Sequence, residues 1–225
     1  MCFDWKWQQA EAQLLHAIEL NPNNASARQF YAMGLSSVGR TEEAVAQVTR
    51  ARELEPTSMV IRTNLGFILY RGKRIAEAVD ELRNCVALEP ASPYPRYRYG
   101  QALVEAGEFE EAMHQFETIL EMPRADVHGL VGKGHLLATT GRKREAHEIL
   151  QRLLKMGQAR YVSAYYIAEI HTGLGDHEEA LSWLEKAYEE RPVMMISLRH
   201  NPKFDGLRHD PRFRALERRV GLWPD

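Results

Sequence analysis

The chain is poor in the features that usually announce chemistry. Its 225 residues include two cysteines, Cys2 and Cys85, with no close spacing. That excludes a disulfide framework and a thiolate metal site. No run approaches the ~18 apolar residues of a membrane span. No basic stretch leads into an apolar one at the start, so the front does not read as a signal peptide and a cytoplasmic location is expected. The net charge is only −2, too little positive charge to hold nucleic acid by bulk attraction. No Gly-rich phosphate loop, Gly-x-Ser-x-Gly elbow or His-Glu-x-x-His pair occurs. A composition 44% hydrophobic and 27% charged is that of a soluble, folded chain.

What the sequence does have is a ruler. Glu43-Ala44, Glu77-Ala78, Glu111-Ala112, Glu145-Ala146 and Glu179-Ala180 recur every 34 residues, and Gln9-Ala10 stands one step earlier. Small residues keep the same register at Ala32, Gly66, Gly100, Gly134 and Ala168. Prolines keep it at Pro22, Pro56, Pro90 and Pro192. Glycines do so at Gly39, Gly107, Gly141 and Gly175, with Lys73 in the second copy. A fixed period of this length means stacked supersecondary units. Within Ala25–Ser58, Phe30/Tyr31, Ala32 and Leu35 form one apolar helical stripe, and Gly39 ends that helix. Thr41 reads as the N-cap of a second helix striped by Ala44, Val48, Ala51 and Leu54, with Glu42 and Glu43 suiting its dipole. Pro56 stops it.

This period and pattern resemble the tetratricopeptide repeat, a helix–turn–helix unit with small residues at places eight and twenty and Pro at thirty-two. The resemblance covers about residues 3–192 and implies an all-α, right-handed superhelical solenoid with a C-terminal capping helix. We read a half unit at 3–24 and full units at 25–58, 59–92, 93–126, 127–160 and 161–192. A capping segment follows at 193–225. Arg28, Arg62 and Arg96 depart from the family at place four, where a bulky residue is usual.

The two ends differ. In 193–225, seven basic residues against four acidic ones make the segment positive. It holds two similar phrases, Asn201-Pro202-Lys203-Phe204 and Asp210-Pro211-Arg212-Phe213. Phe204, Leu207, Phe213, Leu216 and Val220 are expected to cover the last unit, as repeat arrays need caps. At the front, Trp5, Trp7, Leu14 and Ile18 are expected to face an absent helix. That motivates two expectations: a chain cropped from something longer, or homo-oligomerisation through this face. The half unit, five units and tail resemble the C-terminal helical-repeat regions of multidomain bacterial signalling and transcription-regulator proteins.

No cofactor or metal is expected. His128 and His135 lie seven residues apart on one helix, but converging carboxylates or thiolates are wanting. With Glu169 they are the sole candidates for acid–base work, so the chain reads as non-enzymatic. Function is expected in the concave face, which the resemblance lines with first helices and assigns to a protein or peptide ligand. By register the residues expected there are Asn64, Phe67, Tyr70, Arg71, Tyr94, Tyr97, Arg98, Gln101 and Tyr165. Aromatic and Arg side chains of this kind carry binding hot spots. Neither nucleic acid nor membrane is expected as a partner. A specialised family clamp for chaperone-tail carboxylates is incomplete: Asn64 and Arg98 match it, whereas Gln29, Met33 and Tyr94 do not.

Overall fold

The computed structural model describes residues 7–123 and 126–221. They form helices α1 (Trp7–Leu20), α2 (Ala25–Ser37), α3 (Thr41–Leu54), α4 (Met59–Arg71), α5 (Ile75–Leu88), α6 (Pro93–Ala106) and α7 (Phe109–Glu121). Then come α8 (Asp126–Thr139), α9 (Lys143–Gly157), α10 (Ala164–Leu174), α11 (His177–Glu190) and α12 (Pro211–Val220). Two 3-10 segments, Val193–His200 and Pro202–Leu207, stand between α11 and α12. No strand occurs among the described residues, and none of their helices is long and apolar enough to cross a membrane.

The five pairs α2/α3 to α10/α11 stack as a helical solenoid. Small residues set the spacing inside each pair. A methyl group at Gly66 would lie 2.5 Å from Leu82 Cγ, and one at Gly100 would lie 2.5 Å from Phe116 Cε1. Ala32, Ala44, Ala78, Ala112, Ala146, Ala168 and Ala180 are fully buried at the crossings. The turns inside the pairs need a left-handed residue. Gly39, Gly107, Gly141 and Gly175 take φ of +78 to +79°, and Lys73 takes the same region at φ 59°. The helix after the first such turn begins at Thr41, with Arg40 rather than Thr41 in the cap position. Arg40 compensates with a bidentate pair to Glu43 at 2.7 Å, repeated as Arg74–Glu77 and Arg142–Glu145.

The arginines at place four have a clear structural job. Arg28, Arg62 and Arg96 donate from Nε to the carbonyls of Pro22, Pro56 and Pro90 at 2.9, 3.0 and 3.0 Å. Each straps the preceding inter-pair turn, the task of tying down backbone carbonyls that no helix satisfies.

The tail caps α10/α11 and then does more. Phe204, Leu207, Phe213, Leu216 and Val220 form a core with Tyr165, Ala168, Leu181 and Leu184. The segment Val193–His200 crosses to the other end of the array and packs on α2. A methyl group at Gly39 would stand 2.6 Å from His200 Cε1. Lys73 Nζ, in the α4–α5 turn, pairs with Asp205 at 2.6 Å.

Candidate functional site: a concave face shared with the tail

First helices line the concave face. α2 contributes Met33, α4 Phe67 and Tyr70, α6 Tyr94, Tyr97, Arg98 and Gln101, α8 His128, and α10 Tyr165, Tyr166 and Glu169. The opposite wall is the tail: Val193, Met194, Ile196, Ser197 and Asn201. Between them lies a cavity of about 130 Å³.

The tail changes the standing of several expected anchors. Tyr70, Arg71, Tyr97, Gln101 and Tyr165 are only 2–5% exposed, Asn64 is 5% exposed and Phe67 9%. They are buried in the closed chain rather than displayed as an open groove. The cause is the positively charged tail, which docks on Glu169, the buried carboxylate among the described lining residues. Lys203 Nζ meets Glu169 Oε2 at 2.7 Å, and Asn201 Nδ2 donates to Glu169 Oε1 and Tyr165 Oη at 3.1 and 3.0 Å. Lys203 also stands 5.9 Å from the centre of the Tyr97 ring.

Two further cations lack such a partner. Arg71 donates weakly to Ser37 Oγ at 3.4 Å, while its Nε and Nη2 are buried without a partner. Burial pulls its pKa down to about 10, and repulsion from Arg98 adds to this. Arg98 lies over the Phe67 ring, its guanidinium carbon 3.6 Å from the ring centre, with Tyr94 and Tyr97 at 5.4 and 5.6 Å. Its Nη1 donates to Gln101 Oε1 at 2.9 Å. The aromatic run continues edge-on through His128, 5.0 Å from Tyr97 and 5.7 Å from Tyr166. Burial, then the Arg98 charge, hold His128 below the ordinary histidine pKa. His135, hydrogen-bonded through Nδ1 to the Glu169 carbonyl at 2.9 Å, is pushed down to about 3 by burial and by Lys203. Both imidazoles are therefore neutral at pH 7. His135 and Glu169 are spent on structure, and no group of three or more His, Cys, Asp or Glu fit to hold a metal occurs among the described residues.

The concave face is open at one edge. Tyr94 is half-buried and its hydroxyl donates to Asn64 Oδ1 at 2.7 Å. That contact joins place six of one unit to place two of the next. The equivalent pair one unit earlier is Phe30 and Val60, which are 61% and 53% exposed. Both occupy inward places of their units by the 34-residue register, outside the aromatic and Arg cluster of α6.

The front face also differs from expectation. Trp7, Leu14 and Ile18 pack against the core of the array, and Trp7 touches the tail's core as well. The cover is partial: no residue of α1 is fully buried, and all three side chains keep intermediate exposure. Gly34 accommodates the indole of Trp7 where any Cβ would collide. Trp5 lies outside the described residues.

A right-handed stack of helix pairs with first helices inward defines a helical-repeat solenoid, here closed by its own tail. Tetratricopeptide-repeat models match residues 69–134 and 131–194, more than half of the chain together, and the chain belongs to that family. A tetratricopeptide repeat protein of Parabacteroides merdae superimposes with a TM-score of 0.61 at 16% identity, over 95% of this chain and 85% of that one. The thermophilic TPR protein TTC0263 of Thermus thermophilus gives 0.60 at 17%, over 88% and 100%. PilF of Pseudomonas aeruginosa gives 0.53 at 15%, over 87% and 90%. At such identities the likeness is one of fold. None of the curated proteins matches the chain. Proteins of this repeat family are in general non-catalytic interaction modules.

Proposed function

We propose that this chain is a protein-interaction module that takes a peptide or helix along the open edge of its concave face. The observation that carries the reading is the exposed pair Phe30 and Val60, continuous by register with the half-buried Tyr94 and Arg98. Two large apolar side chains at adjacent groove places, next to a cation, suit an apolar anchor followed by an acidic group. The residues under the tail set the shape of this edge rather than touching the partner.

The test is selection from a random peptide library on the immobilised chain, followed by the Phe30→Asp/Val60→Asp double variant. Selected peptides should lose at least tenfold in affinity while helicity is unchanged. Equal binding to the double variant would remove the edge from consideration.

A second reading places the array as the sensor part of a larger regulator. It rests on the resemblance of the units and tail phrases to the repeat regions of such regulators; in the fold both phrases cap a helix, Asn201 accepting from the Lys203 amide at 3.2 Å and Asp210 from the Arg212 amide at 2.8 Å. A native gene product of the mass of this chain alone would argue against it.

A further inference from the structure

The cavity between the tail and the first helices has its own chemistry, separate from the open edge. Tyr70 Oη, Tyr97 Oη and Arg98 Nε are buried and have no hydrogen-bond partner in the protein. All three residues line the cavity. Tyr70 and Tyr97 are 2% and 3% exposed. Buried polar atoms in folded proteins are nearly always paired, so three orphans around one cavity call for an acceptor from outside the chain.

The charge points the same way. Glu169, the one carboxylate lining the cavity among the described residues, is already held by Lys203 and Asn201. Arg98 pairs with no carboxylate among the described residues, and its Nη1 donates to the neutral amide of Gln101. The interior thus carries a positive charge that the protein leaves unbalanced. The walls are aromatic, with Phe67 and Tyr94 beside the guanidinium. The volume of about 130 Å³ is close to the ~150 Å³ hole that accepts one benzene ring. A nucleotide or a peptide segment does not fit with the tail in place.

We propose that this cavity binds a small organic monoanion: a single-ring or short-chain carboxylate, its oxygens accepting from Arg98 Nε and the Tyr70 and Tyr97 hydroxyls and its body lying on the aromatic wall. A charge-assisted hydrogen bond of this kind is worth ~10-fold or more in affinity. The site does not depend on peptide capture at Phe30 and Val60, so either reading can fail alone.

The experiment is calorimetric titration of the full chain with benzoate, 4-hydroxybenzoate and hexanoate. Benzamide, benzene, inorganic phosphate and a short peptide with a free C-terminal carboxylate run beside them. At least one acid should saturate one site, with benzamide and phosphate at least tenfold weaker. Tyr97→Phe should weaken that acid about tenfold, and Arg98→Gln more, with unchanged circular dichroism. Tyr97→Phe keeps the ring, so the test survives if Arg98→Gln misfolds. No saturation by any acid overturns the proposal. So does equal binding of benzene or benzamide (an apolar hole), of phosphate (an anion hole), or of the peptide through Arg98.

Discussion

Replacing Lys203 with methionine tests whether the tail is seated in the array. The Lys203 and Glu169 side chains are 2% and 3% exposed, and their 2.7 Å contact is the charge pair at the centre of the closed face. Methionine keeps the aliphatic stem and removes the charge. Glu169 then retains Asn201 and is otherwise a buried, unbalanced carboxylate. Removing one partner of a buried pair costs ~3–5 kcal/mol, because the remaining ion cannot recover its hydration. For a domain of this size that is a fall of about 10 °C in Tm. Urea and thermal unfolding followed by circular dichroism measure it. The Glu169→Met/Lys203→Met double variant should recover most of the loss, since an apolar pair avoids the desolvation of both ions. If Lys203→Met costs less than ~1 kcal/mol, Glu169 reaches water and the tail does not lie over the concave face.

Two other outcomes follow from the interior. His135 is neutral in the fold with a pKa of about 3 against 6.5 unfolded, so the unfolded chain binds more protons between those values. Stability should therefore fall as pH drops below 6.5, by ~2 kcal/mol from this group between pH 7 and 5; His135→Gln should reduce the slope of the denaturation midpoint over that range, the remainder coming from groups such as His200, also held down by burial. Gly100→Ala should destabilise by ~1–3 kcal/mol in urea denaturation, although alanine is the better helix former, because its methyl would meet the Phe116 ring at 2.5 Å.

The array was legible in sequence because each unit repeats the same local problem. Ala44 and Gly66 are small where helices cross, and Gly39 turns left-handed between them; both needs recur at one period and so stand out. The first-helix positions facing inward followed from that register. The tail's path did not. It has no period, and its decisive contacts, such as Lys73–Asp205 across 132 residues, have no signal in a single sequence. Composition marked Tyr70, Tyr97 and Arg71 as interface-like, but composition alone does not distinguish a partner's contact from the chain's own. The place-four arginines read as departures from a family pattern until the Pro carbonyls they grip were visible.

The contact between Val193–His200 and α2 has a kinetic meaning. An open repeat array grows from any nucleus, with each unit stabilised by its nearest neighbours, and can fray from either end. Here the first and last pairs are joined through the segment that follows α11, so neither can melt without loosening the other. The array therefore has a fixed number of units: an inserted pair would carry α2 out of the tail's reach. During synthesis the first helices must wait, with Tyr70 and Tyr165 uncovered, until the segment 193–207 has emerged. The slowest step of folding should be this closure, which joins the most distant parts of the chain.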